Sequence, residues 1–351
     1  MRYRNPPTML RVAKARKMAV IICSLLFLLT GCTEQSTPLT PTLSPTSIPG
    51  ELPMQNQAET ITPPQDTFRI IAYVTDGYPV MKLLPYTQLT HINYAFVIPN
   101  ADGSLLPIAN SWKLKELVKY AHENDVKVLV SVGGWGWDAE FEALAADATS
   151  RARFVDALDE FAQEYALDGI DIDWEYPGPE AASAQNFVTL MTELKDRFQP
   201  QGILLTTAVV ALGRTGEDIL PEIFELVDFM NIMAYDGDGQ NHSSYEYAVQ
   251  ALDFWSGRGL PKEKMVLGVP FYGRPEATYR KLVENNPGAA YTDSTDYLGA
   301  KVYYNGITTM QAKTQLALQR GSGIMIWELS HDTTDASSLL NAIYQTVRGS
   351  K

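Results

Sequence analysis

Cysteine, histidine and positive charge are all scarce in this chain. Its 351 residues include two cysteines, four histidines, and 28 Lys+Arg against 41 Asp+Glu, for a formal net charge of −13. Cys23 and Cys32 cannot build a disulfide framework, and no Cys/His cluster has zinc spacing. So acidic a chain repels phosphate backbones, which argues against nucleic acid as a partner. No GxGxxG follows the first strand-like run and no P-loop occurs, so dinucleotide and nucleotide chemistry lack their usual signatures. The apolar run at 18–29 is about twelve residues, too short to span a bilayer as a stable helix. What remains is ordinary globular material, 45% hydrophobic and 20% charged, enough for one large domain or two ordinary ones.

The N-terminal segment carries Arg2, Arg4, Arg11, Lys14, Arg16 and Lys17 with no acid, followed by that short apolar run. This is the build of a signal peptide, and a plain signal peptide or an uncleaved anchor would share it. The run ends in Leu29-Thr30-Gly31-Cys32, which resembles a bacterial lipobox. The resemblance implies cleavage before Cys32 and acylation of that cysteine, a stable anchor if several chains are attached. The expected location is extracytoplasmic and membrane-tethered. Cleavage would remove six positive charges and no acid, taking the net charge from −13 to −19. Cys23 would go too, so export would bring no disulfide.

Residues 33–66 read TEQSTPLTPTLSPTSIPGELPMQNQAETITPPQD. Thr, Ser and Pro dominate without a periodic apolar face, which reads as a tether. Fully extended it reaches about 100 Å at most. The expected division is a signal peptide over 1–31, a tether from lipidated Cys32 over 32–67, and one catalytic domain over 68–351.

From Phe68 the pattern alternates. Strand-like runs rich in Val, Ile, Leu and aromatics fall at 69–74, 89–96, 127–133, 169–175, 203–209, 229–235, 265–271 and 323–328. Helical patterns lie between them, for example at 111–124, 151–165, 182–197, 245–258 and 309–320. Eight β/α units predict an α/β fold, the closed (β/α)8 TIM barrel, rather than an open doubly wound sheet. Chemistry in such barrels sits at the C-terminal ends of the strands.

The fourth strand reads Asp168-Gly169-Ile170-Asp171-Ile172-Asp173-Trp174-Glu175-Tyr176-Pro177. Period-two alternation puts Asp171, Asp173 and Glu175 on one face and Ile170, Ile172 and Trp174 on the other. Three acids facing a barrel interior are costly, because each unpartnered buried carboxylate costs several kcal/mol. Close carboxylates resist ionising together, so the trio should share protons, and one member can remain an acid near neutral pH. A Ca²⁺ or Mg²⁺ site and an inert structural cluster are the alternatives; the EF-hand spacing is absent, and no metal or cofactor is expected.

The run resembles the DxxDxDxE signature of family 18 glycoside hydrolases, the chitinase family, through Asp168, Asp171, Asp173 and Glu175. Ser131-Val-Gly133-Gly134 resembles the family's SxGG, Met233-Ala-Tyr235-Asp236 its MxYD, and Trp327 its eighth-strand tryptophan. Asn93–Phe96 and Pro270–Arg274 match as well, so the resemblance covers 68–340 in order. It implies substrate-assisted, retaining hydrolysis, in which the sugar's own 2-acetamido group attacks the anomeric carbon. Glu175 would be the general acid. Asp173 would hold the acetamido N–H, Asp171 would share a proton with Asp173, and Tyr235 would bond the acetamido oxygen. Met233 and Asp236 would line the central sugar position, with Trp327 as its floor. Tyr73, Phe96, Trp135, Trp137 and Arg274 are further expected sugar contacts. Ser131, Gly133 and Gly134 are expected to pack beneath the site, Asp168 to brace the strand, and Tyr176 and Pro177 to shape the turn. The histidines receive no role.

Only residues 275–322 separate Arg274 from the eighth strand, so the sizeable insertion found in many chitinases is expected to be absent or small and the cleft open. The expected partners are chitin, chitooligosaccharides or another N-acetylglucosamine-containing glycan, met by a monomer. An endo-β-N-acetylglucosaminidase, a peptidoglycan glucosaminidase and a non-catalytic lectin remain as alternatives. Trp174–Pro177 favours the chitinase branch, and the presence of Glu175, Asp173 and Tyr235 speaks against the lectin.

Overall fold

The computed structural model describes residues 68–178 and 181–350. The expected signal peptide, Cys32 and the tether lie outside the described residues.

Eight parallel strands close into a ring: β1 (Arg69–Thr75), β2 (His91–Val97), β3 (Lys127–Gly133), β4 (Gly169–Asp173), β5 (Leu204–Val210), β6 (Phe229–Met233), β7 (Met265–Pro270) and, after four short strands, β12 (Gly323–Trp327). Neighbours in sequence are neighbours in the ring, and β12 pairs with both β7 and β1 to close it. A closed ring leaves no strand edge unpaired. Both faces of each strand are buried, which is why β3 reads KVLVSVG with an apolar residue at nearly every inner position. The pleat then sorts the apolar side chains in two. Ile70, Val130, Ile172, Ile232 and Ile324 join the outer layer under the helices, while Ile71, Tyr73, Phe229, Met233, Val266 and Met325 pack inside the ring.

The outer layer consists of α1 (Ser111–His122), α2 (Asp138–Ala146), α3 (Ala148–Tyr165), α4 (Ala181–Phe198), the short α5 (Arg214–Glu217) and α6 (Glu222–Leu226), α7 (Tyr245–Gly257), α8 (Tyr279–Asn285), α9 (Ile307–Arg320) and α10 (Leu339–Gly349). Each long helix buries one stripe: in α1, Leu114, Leu117, Val118 and Ala121 recur at three- and four-residue intervals. The Asp147 carboxylate accepts the Ser150 N–H at 2.8 Å and fixes where α3 begins.

The segment between β7 and β12 carries two small antiparallel pairs, β8 (Tyr272–Gly273) with β9 (Ala277–Thr278) and β10 (Ser294–Tyr297) with β11 (Ala300–Tyr303), besides α8 and α9. Mutual Arg274–Tyr303 backbone bonds of 2.9 Å tie the two pairs together. This is the small insertion expected from the spacing. Strand ends differ from expectation: pairing in β4, β6 and β12 stops at Asp173, Met233 and Trp327, short of Glu175, Tyr235 and Glu328. The last residues of each run leave the ladder and turn into the loops of the open mouth.

The opposite, N-terminal end of the ring is where the described chain begins. Phe68, Arg69, Thr90, His91, Lys127, Asp228 and Phe229 surround a smaller hollow there of about 290 Å³. The Arg69 guanidinium sits 4.8 Å over the Phe229 ring and closes the barrel floor.

Candidate active site

The β4 alternation holds beyond the end of its ladder. Trp174 faces outward, stacked on Phe141 at 5.2 Å and edge-on to Phe187 at 5.6 Å. With Ile170 and Ile172 it anchors the strand to the helices, and Asp171, Asp173 and Glu175 are thereby held on the inner side.

Asp171 is fully buried and fully partnered. Its Oδ2 accepts the Tyr73 hydroxyl at 2.6 Å and the Ser131 hydroxyl at 2.9 Å. Its Oδ1 accepts Thr206 Oγ1 at 2.6 Å and Asn231 Nδ2 at 3.1 Å. Following the pairing round the ring, Asn93, Asp171, Asn231 and Met325 from alternate strands fall on one level of the barrel. Burial pushes the Asp171 carboxyl up, and the four donors pull it back.

Asp173 lies two residues nearer the mouth and is 3% exposed. Its Oδ1 has no hydrogen-bond partner among the described residues. Burial first, then the charges of Glu175 and Asp171, push its carboxyl well above the usual carboxylate range. Four donors make Asp171 the better place for negative charge, and the Asp173 carboxyl, pushed up further, is the one that favours its proton.

Glu175 is half-buried at the mouth. Burial raises its carboxyl and the charge of Asp236 adds to this, while the Tyr176 hydroxyl, donating to Oε2 at 2.9 Å, works the other way. Tyr235 is 9% exposed. Its phenol is held well above its ordinary value by burial, with Tyr272, Asp173 and Glu175 adding to it, so the hydroxyl keeps its proton. Tyr272 stands edge-on to Tyr235, with ring centres 6.3 Å apart. Trp327 closes the floor, with Tyr73 edge-on at 5.4 Å and Phe96 tilted at 5.6 Å. Three non-proline peptide bonds at this mouth are cis: Ala95–Phe96, Glu175–Tyr176 and Trp327–Glu328.

The rim is charged. Arg274 Nε donates to Asp236 Oδ1 at 2.9 Å and also pairs with Glu276. His242 Nδ1 lies 3.1 Å from both the Asp236 amide nitrogen and Oδ1. Burial raises the Asp236 carboxyl, but His242, Arg274 and Tyr272 together hold it far below the usual range, so it stays charged.

Asp173, Glu175, Tyr235, Tyr73, Phe96, Trp135, Trp137, Met233, Asp236, Arg274 and Trp327 all line one cavity of about 1010 Å³ at the C-terminal end of the barrel. Asp171 lies beneath that cavity, with Ser131 donating to it. Gly133 and Gly134 permit close approach, each at positive φ. A Cβ on Gly133 would sit 2.5 Å from the Asp173 carbonyl oxygen, and one on Gly134 2.8 Å from the Phe96 ring. Asp168 is outside the cavity: its Oδ2 accepts the Val128 N–H at 2.7 Å and lies 2.8 Å from His122 Nε2, bracing β3 to β4. Trp135 is 79% exposed and forms an open shelf.

Sequence reasoning passed over several neighbours. Tyr176, expected only to shape a turn, holds Glu175. His242 and His331, given no role, line the cavity wall with Tyr247 and Tyr272. Thr206 supplies one of the four Asp171 donors; its polar side chain on the inner face of an apolar strand was the available signal.

A profile of the glycosyl hydrolases of family 18 matches residues 69–332, which includes every barrel strand. Chitinase 1 of Aphanocladium album is 29% identical over 239 residues, covering 54% of this chain and 56% of that protein. Chitinase A1 of Niallia circulans is 31% identical over 205 residues, covering 48% and 29%. The chain spans about half or less of the length of the curated relatives it matches. The crystal structure of the chitinase from the chitin utilization locus of Flavobacterium johnsoniae superposes with a TM-score of 0.71 at 29% identity, covering 81% of this chain and 95% of that one. A chitinase from Rhizomucor miehei gives 0.69 at 29% identity, covering 79% and 99%. The chain belongs to glycosyl hydrolase family 18.

Proposed function

We propose that the chain is a chitinase-like glycosidase, hydrolysing β-1,4 linkages of N-acetylglucosamine polymers or oligomers with retention at the anomeric carbon. One observation carries the reading. A half-buried carboxyl, a buried carboxyl pushed well up with an oxygen that has no partner among the described residues, and a phenol held in its protonated form share one cavity above an aromatic floor.

The chemistry follows from those groups. Glu175, its carboxyl raised by burial, gives its proton to the glycosidic oxygen as the bond from that oxygen to C1 breaks. The acetamido carbonyl oxygen of the same sugar bonds to C1, forming an oxazolinium ion and releasing the alcohol. Asp173 Oδ1, free of partners among the described residues, accepts the acetamido N–H, and Tyr235 donates to the acetamido oxygen, which fixes the line of attack. When Glu175 loses its proton, the proton on Asp173 is left between two carboxylates and offsets the second negative charge. The Glu175 carboxylate then takes a proton from water, whose oxygen attacks C1 and reopens the ring. Two displacements on opposite faces restore the starting configuration.

The same reading takes residues 1–31 as an export signal, acylated Cys32 as the anchor and 32–67 as the tether of a monomeric enzyme outside the cytoplasm. The lipobox-like ending at Cys32 supports it. Loss of membrane association on Cys32→Ser checks it.

Product analysis on chitopentaose, an N-glycopeptide and peptidoglycan side by side tests the substrate class, with cleavage of chitopentaose expected. Inversion at the new reducing end, or equal turnover of a substrate stripped of its N-acetyl groups, rules out the mechanism.

A further inference from the structure

Lys313, on the inner face of α9, is fully buried and pairs with no carboxylate among the described residues. Its Nζ makes three bonds of 2.7 Å, to the Ser243 carbonyl oxygen, Ser243 Oγ and Asn305 Oδ1. All three partners must accept. The Ser243 hydroxyl spends its own proton on the Ala234 carbonyl oxygen at 2.7 Å. Asn305 spends its Nδ2 on the Ser243 carbonyl oxygen at 2.7 Å, which sets its Oδ1 toward the lysine. An ammonium has three protons and fills all three places; a neutral amine has two and leaves one bond unmade.

The tie leads to the cavity. Ser243 closes the loop that leaves β6 and carries Tyr235, Asp236 and His242. The carbonyl its hydroxyl holds is that of Ala234, the residue before Tyr235. Asn305 follows β11, so one lysine joins this loop, the insertion and α9. We propose that Lys313 is a positioning residue for the Tyr235–His242 wall of the cleft, acting in full only as the ammonium. Desolvation acts against that form, lowering the group from 10.5 to about 7; Asp293 before β10 and Glu246 in the first turn of α7 are the charges that oppose it. The wall is therefore tied completely below neutral pH and one bond short above it.

The proposal rests on the hydrolytic reading for its kinetic test, which compares the full chain with Lys313→Met and Lys313→Gln on a chromogenic chitooligosaccharide. At pH 6 the Met variant should lose about tenfold in kcat with little change in KM, because a displaced Tyr235 harms orientation more than binding. The ratio of wild-type to variant kcat should then shrink as pH rises from 6 to 9; taking the ratio cancels the titration of Glu175, common to both. A folded variant with unchanged kcat at pH 6, or a ratio constant with pH, overturns the proposal. If the Met variant does not fold, the Gln variant carries the same test. A second readout needs no turnover. A lysine lowered in the folded state releases its proton before the unfolded chain does, so stability should rise with pH between about 7 and 10.5 in the wild type and not in Lys313→Met. If no N-acetylglucosamine substrate is cleaved, the hydrolytic reading fails and this melting comparison alone decides on Lys313; equal pH dependence of the two melting curves refutes it.

Discussion

Asp171 and Asp173 are the same side chain on the same face of the same strand, two residues apart, in opposite surroundings. The deeper one has a donor for every lone-pair direction it uses. The shallower one has an oxygen with no partner among the described residues and two carboxylates for neighbours. Burial alone therefore does not separate a structural acid from a reacting one. What separates them is whether the protein has already satisfied the carboxylate or left it for something that arrives.

The widest gap should come one position further out. Glu175→Gln keeps shape and removes the transferable proton, so kcat should fall about 10³-fold while chitooligosaccharide binding, followed by tryptophan fluorescence, survives. Normal turnover in this variant would break the comparison at its root. Asp173→Asn should lower kcat about 10²-fold, since an amide cannot shift a proton within the trio as Glu175 ionises. The same variant sharpens the protonation argument. A carboxyl raised in the folded state loses its stabilising effect as pH climbs through its folded value, so the wild type should lose stability relative to Asp173→Asn as pH rises above about 4. Melting curves that stay parallel from pH 4 upward would move the shared proton off Asp173. Asp171→Ala should act mainly on stability, costing about 3 kcal/mol or more, because four buried donors lose their acceptor. A variant that melts like the wild type would show Asp171 to be dispensable as scaffold. Least of all, Trp135→Ala on the open shelf should raise KM a few-fold for long oligosaccharides and leave kcat nearly untouched.

The inward trio was readable from residue types alone, because alternation along a strand is a local rule and Ile170, Ile172 and Trp174 left no doubt about which face was apolar. Eight β/α units likewise announced the ring. What local reasoning could not supply was register. Tyr73, Ser131, Thr206 and Asn231 come from four strands, 98, 40, 35 and 60 residues from Asp171, and only closure of the barrel sets their hydroxyls and amide on one carboxylate. His242 was equally invisible, since its place depends on how the loop after β6 folds back onto Asp236. Tyr176 was misjudged for the reverse reason: its neighbour in sequence is also its partner in space, but a side chain just past a strand has no fixed period to point it.

The described chain enters its first barrel strand at the end of the ring around Phe68 and Arg69, while the cavity of the candidate site opens at the other end. Entry of the chain and access to the cavity thus fall at opposite ends of the ring, so the loops of the mouth can vary without disturbing the place where the barrel starts.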